Sequence, residues 1–261
     1  VLPLTTAAAR RLPLVLHLNN RALAGSGAAL GSGHEAVHMS ADSGCFTLFA
    51  NNVQQAVDFS LIARRVTELS LIPGVVAMDG EQTAGAGQDV KLPSPAQVRE
   101  FLGNNDEAIE VPNEAQKLLF GEKRRRVPRW HDLDQPALNG ALQDSHSYAL
   151  SSAARAPFFD RDLPVLLEQA LTEFARLTGR HYGVVTSHNA EKAKLLLVAQ
   201  GSAVETAIAV AEHLRKKEKV KIGVIGLHSL RPFPGAKLAE LLAGKRAVAV
   251  LERLDTPLAG D

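Results

Sequence analysis

The sequence predicts an α/β protein made of two open, mainly parallel α/β domains joined by an irregular helical segment. Three observations carry that prediction. The first 95 residues run strand, loop, helix, strand, the order of a βαβ-like unit. From Ala193 onward, strands and helices alternate without a break, as in an open parallel sheet. Between the two lie polar, Pro- and Gly-interrupted stretches that follow neither period and read as an excursion with a few short helices. The expected units are residues 1–95, 96–185 and 186–261.

Taken in order, "LPLVLHLN" (Leu12–Asn19) is a short Leu- and Val-rich run, the pattern of a buried strand. A glycine-rich stretch, "RALAGSGAALGSG", follows. The next element is a helix from Val53 to about Leu71, with Val53, Val57, Leu61, Val66 and Leu69 at roughly helical spacing. Asn52 is placed to cap it, and Gln55 stands where a capping box needs its partner. "PGVVAMDG" (Pro73–Gly80) is a second strand ending in a turn. Asp162–Arg180 is an amphipathic helix that buries Leu163, Leu166, Leu167, Leu171, Phe174 and Leu177, and Gly179 closes it. In the last part the strands are "LLLVA", "KIGVIG" and "AVAVL", and Ser202 with Glu205 forms an expected capping box.

Composition limits the function classes. The chain has 261 residues, is 46% hydrophobic and 22% charged, and carries a net charge of +1. Near-neutrality gives no general attraction to nucleic acid or to a membrane surface. A single cysteine, Cys45, excludes an intrachain disulfide and cannot hold an iron–sulfur cluster, which takes about four thiolates. A reducing cytoplasm is the expected setting. No apolar run approaches the ~20 residues of a membrane span, and the start has no signal-peptide pattern. The chain opens on Val1 rather than Met, as a processed product or one piece of a longer protein would.

Several motifs invite chemistry. His34-Glu35-Ala36-Val37-His38 fits H-E-x-x-H, which on an established helix would offer two imidazoles to zinc. Here Gly31, Ser32 and Gly33 stand immediately upstream, with Ser32 at best an N-cap, so the histidines read as loop or helix-start residues and no metal ligand is assigned. Gly25, Gly27 and Gly31 follow a strand as a dinucleotide loop would, but the spacing is off by one and no acid closes a second strand. Gly201-Ser202 at a helix start could hold an anion; an ordinary cap is the simpler reading. The basic run Lys123, Arg124, Arg125, Arg126 and Arg129, with only Trp130 as an aromatic neighbour, reads as a solvated or interface surface. No G-x-S-x-G elbow recommends a Ser-His-Asp triad.

Two segments together resemble the pyruvate:ferredoxin (flavodoxin) oxidoreductases. The stretch from Leu12 to Gly80, with "NNRALAG" and "MDG", looks like part of their pyrimidine-binding domain. The stretch from Arg176 onward, with Gly201-Ser202-Ala203-Val204-Glu205-Thr206 and Leu230-Arg231-Pro232-Phe233, is similar to their transketolase-C-terminal-like second domain. The resemblance implies a fragment or subunit of an enzyme that oxidatively decarboxylates a pyruvate-like 2-oxoacid on thiamine diphosphate and Mg²⁺. The acyl group would pass to coenzyme A, and electrons would leave through [4Fe–4S] clusters on other domains to ferredoxin or flavodoxin. The remaining domains or subunits are implied partners, and a homo-oligomer is expected, without nucleic acid or membrane.

By the same resemblance Arg21 faces the substrate carboxylate, a task for which a guanidinium fork suits better than an ammonium. Thr83 lies in the same cleft, and Asp79, Gly80 and Asn52 are the implied cofactor-side residues. His34 and His38 become loop residues near the substrate side, and the H-E-x-x-H match becomes fortuitous. The chain departs from the family pattern at Ala41-Asp42-Ser43-Gly44, where an arginine is lost, and at Glu81-Gln82-Thr83-Ala84-Gly85, where an arginine and a His-Glu pair are lost. The glutamate that activates the cofactor's aminopyrimidine is expected before Val1 or not at all. These losses keep a rival reading open, a non-catalytic assembly module with an eroded site; a zinc hydrolase is a minor third.

Overall fold

The computed structural model describes residues 2–22, 31, 33–129 and 142–254. A short helix α1 (Leu2–Ala9) precedes strand β1 (Val15–Asn20), helix α2 (Glu35–Ser40), β2 (Phe46–Phe49), α3 (Val53–Ser70) and β3 (Gly74–Asp79). The middle of the chain supplies α4 (Pro95–Leu102), β4 (Ala108–Glu110), α5 (Glu114–Phe120), β5 (Lys123–Arg125), α6 (Ser145–Ala153) and α7 (Leu163–Thr178). The last part carries β6 (Val185–His188), β7 (Leu195–Gln200), α8 (Ala203–Lys217), β8 (Ile222–Leu227), β9 (Ser229–Arg231), α9 (Gly235–Leu242) and β10 (Ala247–Leu251).

The first sheet has the order β1-β3-β2-β9, parallel except where β9 pairs antiparallel with β2. The second has the order β10-β7-β8-β6, with β10, β7 and β8 parallel and β6 antiparallel at the edge. The strand after Leu12 and the one after Pro73 lie where their apolar runs place them, but β1 is the sheet's edge and not a buried strand: of its residues only Asn20 is buried. Strand β2 had no counterpart in the sequence reading: "FTLF" is buried at all four positions, so it shows no alternation. Strand β9 crosses over to close the far edge of the first sheet, which ties the two sheets covalently and by hydrogen bonds.

One core lies between the first sheet and helices α3 and α7, where Phe59, Ile62 and Val66 meet Leu167, Leu171 and Phe174. Helix α7 thus packs on α3 as part of the first sheet's cover. A second core is shared by both sheets, with Phe49, Val75 and Ala77 against Leu196, Val198 and Ile225. Truncating a side chain as buried as Phe59, 1% exposed, costs roughly 3–5 kcal/mol.

Two further readings change. Asn52 caps α3 by accepting from the Gln55 backbone N–H, but the Gln55 side chain reaches the N–H of Asn51, one residue further out than a capping box requires. The basic run is not a solvated face at its centre. Arg124 is 2% exposed, and its guanidinium donates to the carbonyls of Glu68 and Leu69, in the last turn of α3, at 2.7 and 3.0 Å. A cation there meets unpaired helix carbonyls and the negative end of the dipole. Gly25, Gly27, Ser32 and Trp130 lie outside the described residues.

Candidate active site

Parallel α/β sheets present ligand sites beyond the carboxyl ends of their strands. At that edge of the first sheet, β1 ends in Asn20 and Arg21, while β3 ends in Asp79 and runs into a single π-helical turn, Gly80–Ala84. The two ends touch because residue 80 is glycine: a Cβ there would stand 2.7 Å from Arg21 Cγ and from the Asn20 carbonyl. The site residues Arg21, Asp79, Gly80 and Thr83 are therefore brought to one corner.

Arg21 is exposed, and among the described residues its guanidinium makes no hydrogen bond or ion pair. Thr83 is 2% exposed, yet its Oγ1 has no partner. Two more oxygens nearby are buried without partners, Asn20 Oδ1 and Glu35 Oε2. Glu35 opens α2, and its Oε2 presses on Gly33, which in turn packs against the backbone of Ala22, the residue after Arg21. A buried polar oxygen without a partner costs on the order of 1–3 kcal/mol, so each such atom calls for a partner from a water, an ion or a ligand.

Asp79 is the opposite case. It is 0% exposed, and both its oxygens are engaged. Oδ1 faces His34 Nε2 at 2.9 Å. Oδ2 accepts from Ser202 N at 2.7 Å and from Ser202 Oγ at 2.6 Å, with Arg253 Nη1 at 3.4 Å. Burial pushes the carboxyl up, but hydrogen bonds from His34 and Ser202 outweigh it and hold the group below its ordinary value. Gln200 Nε2 donates to His34 Nδ1 at 2.9 Å, so Nε2 carries the proton toward Asp79. Both ring nitrogens of His34 are engaged within the chain, and His38 lies on the exposed side of α2, with Nε2 3.9 Å from Glu252. The H-E-x-x-H residues thus point apart, and they belong to a helix start rather than to a loop.

The cap expected from Ser202 is also redirected. Its hydroxyl makes no capping bond and goes to Asp79 instead, while Glu205 accepts from Asn52 Nδ2 at 2.8 Å. The carboxylate of Asp79 itself takes the place of an anion at the start of α8. Gly201 makes this possible: its φ is +64° and a Cβ would sit 2.6 Å from Asp79 Oδ2. Asn52, with Oδ1 accepting from Gln55 N–H and Nδ2 donating to Glu205, holds α3 to α8.

Sequence reasoning missed Gln200, Glu35 and Arg253 as parts of this corner, and placed His34 near it only as a loop residue, without its bond to Asp79. The histidine motif was a signal of a buried polar site, but its partners come from residues 79 and 200, far along the chain.

Comparison with known proteins follows the same division. Residues 3–142 match the family described as pyruvate flavodoxin/ferredoxin oxidoreductase, thiamine-diphosphate-binding, and residues 193–260 match pyruvate:ferredoxin oxidoreductase core domain II. A putative pyruvate-flavodoxin oxidoreductase of Synechocystis is 30% identical over 245 residues, 94% of this chain and 19% of the relative. Pyruvate synthase subunit PorA of Thermotoga maritima is 31% identical over 249 residues, 95% of this chain and 58% of the relative. The fold is shared with a 2-oxoglutarate:ferredoxin oxidoreductase from Magnetococcus marinus, at a TM-score of 0.55 and 15% identity over 96% of this chain and 43% of that one. The chain thus spans about a fifth of the first relative and under three fifths of the second. With two consecutive domains matched in order over most of its length, the chain belongs to the pyruvate flavodoxin/ferredoxin oxidoreductase family.

Proposed function

We propose that this chain is the substrate-facing part of a thiamine-diphosphate-dependent 2-oxoacid:ferredoxin or flavodoxin oxidoreductase. The reaction is 2-oxoacid plus coenzyme A to acyl-coenzyme A, carbon dioxide, a proton and two electrons. The observation that carries the reading is Arg21: an exposed guanidinium, unpaired among the described residues, at the carboxyl edge of a parallel sheet, in the position that the family resemblance assigns to substrate. Its fork suits a carboxylate bound through two parallel hydrogen bonds.

The described residues fit one end of the cofactor. Thr83 Oγ1, Asn20 Oδ1 and Glu35 Oε2 are buried oxygens in want of donors, and an aminopyrimidine offers donors of that kind. Thr83 and Glu35 would hold that ring. Asp79 and Asn52 would act on it indirectly, by keeping the two sheets together, since their own polar atoms are already bonded. Bound thiamine diphosphate supplies the nucleophilic carbon and the electron sink for decarboxylation. Arg21 orients the carboxylate that leaves as carbon dioxide, and the Gly80–Ala84 turn walls the cleft beside it. Further domains or subunits would hold Mg²⁺ with the diphosphate and the [4Fe–4S] clusters, and ferredoxin or flavodoxin would take up the electrons. Units 1–95, 96–185 and 186–261 then serve as pyrimidine-type domain, packing segment and second domain, in a cytoplasmic homo-oligomer.

Calorimetric titration with pyruvate tests the reading. Arg21→Ala should weaken binding at least about tenfold, as loss of a charge-assisted pair requires, and Arg21→Lys should restore only part of it. Equal affinity in Arg21→Ala and the parent would sink the assignment.

A further inference from the structure

Arg253 lies just past β10, in the last described stretch of the second sheet's unit, yet its hydrogen bonds and ion pair with described residues are to groups around the first sheet's site. Its Nη1 stands 3.2 Å from Gln82 Oε1, 3.1 Å from Ser202 Oγ and 3.4 Å from Asp79 Oδ2. Its backbone carbonyl accepts the N–H of His34 at 2.7 Å. One residue thus ties together the π-helical turn, the start of α8, the end of β3 and the start of α2. We infer that Arg253 is a positioning residue: the second sheet's unit uses it, through Asp79 and Gln82, to hold the Gly80–Ala84 turn against Arg21 and so to set the width of the carboxylate-binding cleft.

The physical case is one of geometry. A single π-helical turn is rare and recurs at functional sites, and one standing alone after a strand has no helix of its own to hold it. Here the support at its start is Asp79, anchored by His34 and Ser202, and within it Gln82, anchored by Arg253. Parallel pairing of β10 with β7 places Leu251 opposite Ala199, two residues before Gly201, so the chain leaving β10 arrives beside Ser202. The latch therefore forms only when the second sheet is docked, and the cleft is complete only then. The cleft's substrate class rests on the reading given above; the latch itself does not.

The test uses the whole chain. In Arg253→Met, which keeps the stem and removes the charge, amide hydrogen exchange at Gly80–Ala84 and at His34–His38 should speed up about tenfold, the scale of one lost hydrogen bond to a charged group. Exchange in β7 and β8 should not change. Arg253→Lys, which keeps a cation over Asp79, should return exchange to within about threefold of the parent. A role in packing alone would make Met and Lys behave alike. Equal exchange in those two variants, or exchange in Arg253→Met within twofold of the parent, overturns the inference. Pyruvate titration is the second readout, with affinity falling about fivefold in Arg253→Met; an unchanged affinity there also counts against the latch. If the parent binds no pyruvate, the substrate reading fails, and the exchange measurement still decides the latch.

Discussion

Two corners at the carboxyl edge of the first sheet differ in how completely their polar atoms are matched. Around Asp79 the partners are His34, Ser202 and Arg253, and His34 is matched again by Gln200. A few residues away, among the described residues, Arg21 stands unpaired while Thr83 Oγ1, Asn20 Oδ1 and Glu35 Oε2 are buried without partners. The matched corner draws Gln200, Ser202 and Arg253 from the second sheet's unit, whereas the open corner is built from the first unit alone. A fully matched network fixes one arrangement of two sheets. An unmatched one carries a standing cost that a ligand can relieve, which is why residues kept for binding weaken the protein that holds them.

The largest effect should come from breaking the matched corner at its centre. Asp79→Ala leaves His34, the Ser202 N–H and Arg253 without their acceptor, and should cost about 3–5 kcal/mol, as removal of one partner from a buried charged network does. Urea denaturation measures this, and a loss below about 1 kcal/mol would mean that water replaces the carboxylate freely. Next, Ser202→Ala removes two hydroxyl bonds, the one donated to Asp79 at 2.6 Å and the one accepted from Arg253 at 3.1 Å, and should cost about 1.5–3 kcal/mol.

Thr83→Val sharpens the contrast from the other side. It replaces an unpartnered buried hydroxyl by an isosteric methyl, so the free protein should gain about 1 kcal/mol rather than lose it. A destabilised Thr83→Val variant would show that the hydroxyl has a partner after all.

Acid should act at a third point. His228 is buried, donates from Nδ1 to the Gly183 carbonyl and accepts from Asn51 Nδ2. Burial pushes its pKa down from 6.5 to about 4, against an opposing hydrogen bond to Gly183. The unfolded chain therefore binds a proton first as the pH falls. The contribution of neutral His228 is fully present above 6.5 and is lost progressively toward about 4. Stability measured across that window should fall in the parent and fall less steeply in His228→Gln. The smallest effect on stability belongs to Arg21→Ala, within about 0.5 kcal/mol for an exposed, unpaired side chain, despite its large expected effect on pyruvate binding.

The clearest signals in the sequence were those whose physics is local. Asn52 and Gly179 bound their helices as expected, and the apolar spacing of Leu163 to Phe174 located α7 and its buried stripe. Ser202 shows where local reasoning stops. Its position ahead of α8 promised a cap, but a carboxylate from another sheet offered the hydroxyl a charged acceptor, and a charge-assisted bond outcompetes a neutral one. Arg124 is a similar case: in the sequence it is one of a basic run, and in the fold it closes the end of α3. Among the site residues, Arg21 and Thr83 became candidates through a family resemblance. Gln200 and Arg253 did not, and His34 was placed nearby only as a loop residue, because nothing in their neighbours along the chain says which atoms they meet.

What the sequence alone determined is the alternation of apolar strands and amphipathic helices, hence two mainly parallel sheets, because period and burial are properties of a segment and its nearest residues. What only the tertiary structure decided is which polar groups are matched and which are left open. A hydrogen bond or an ion pair depends on distances of a few ångströms between residues such as Asp79 and Ser202, and only the packing of one sheet against the other sets those distances.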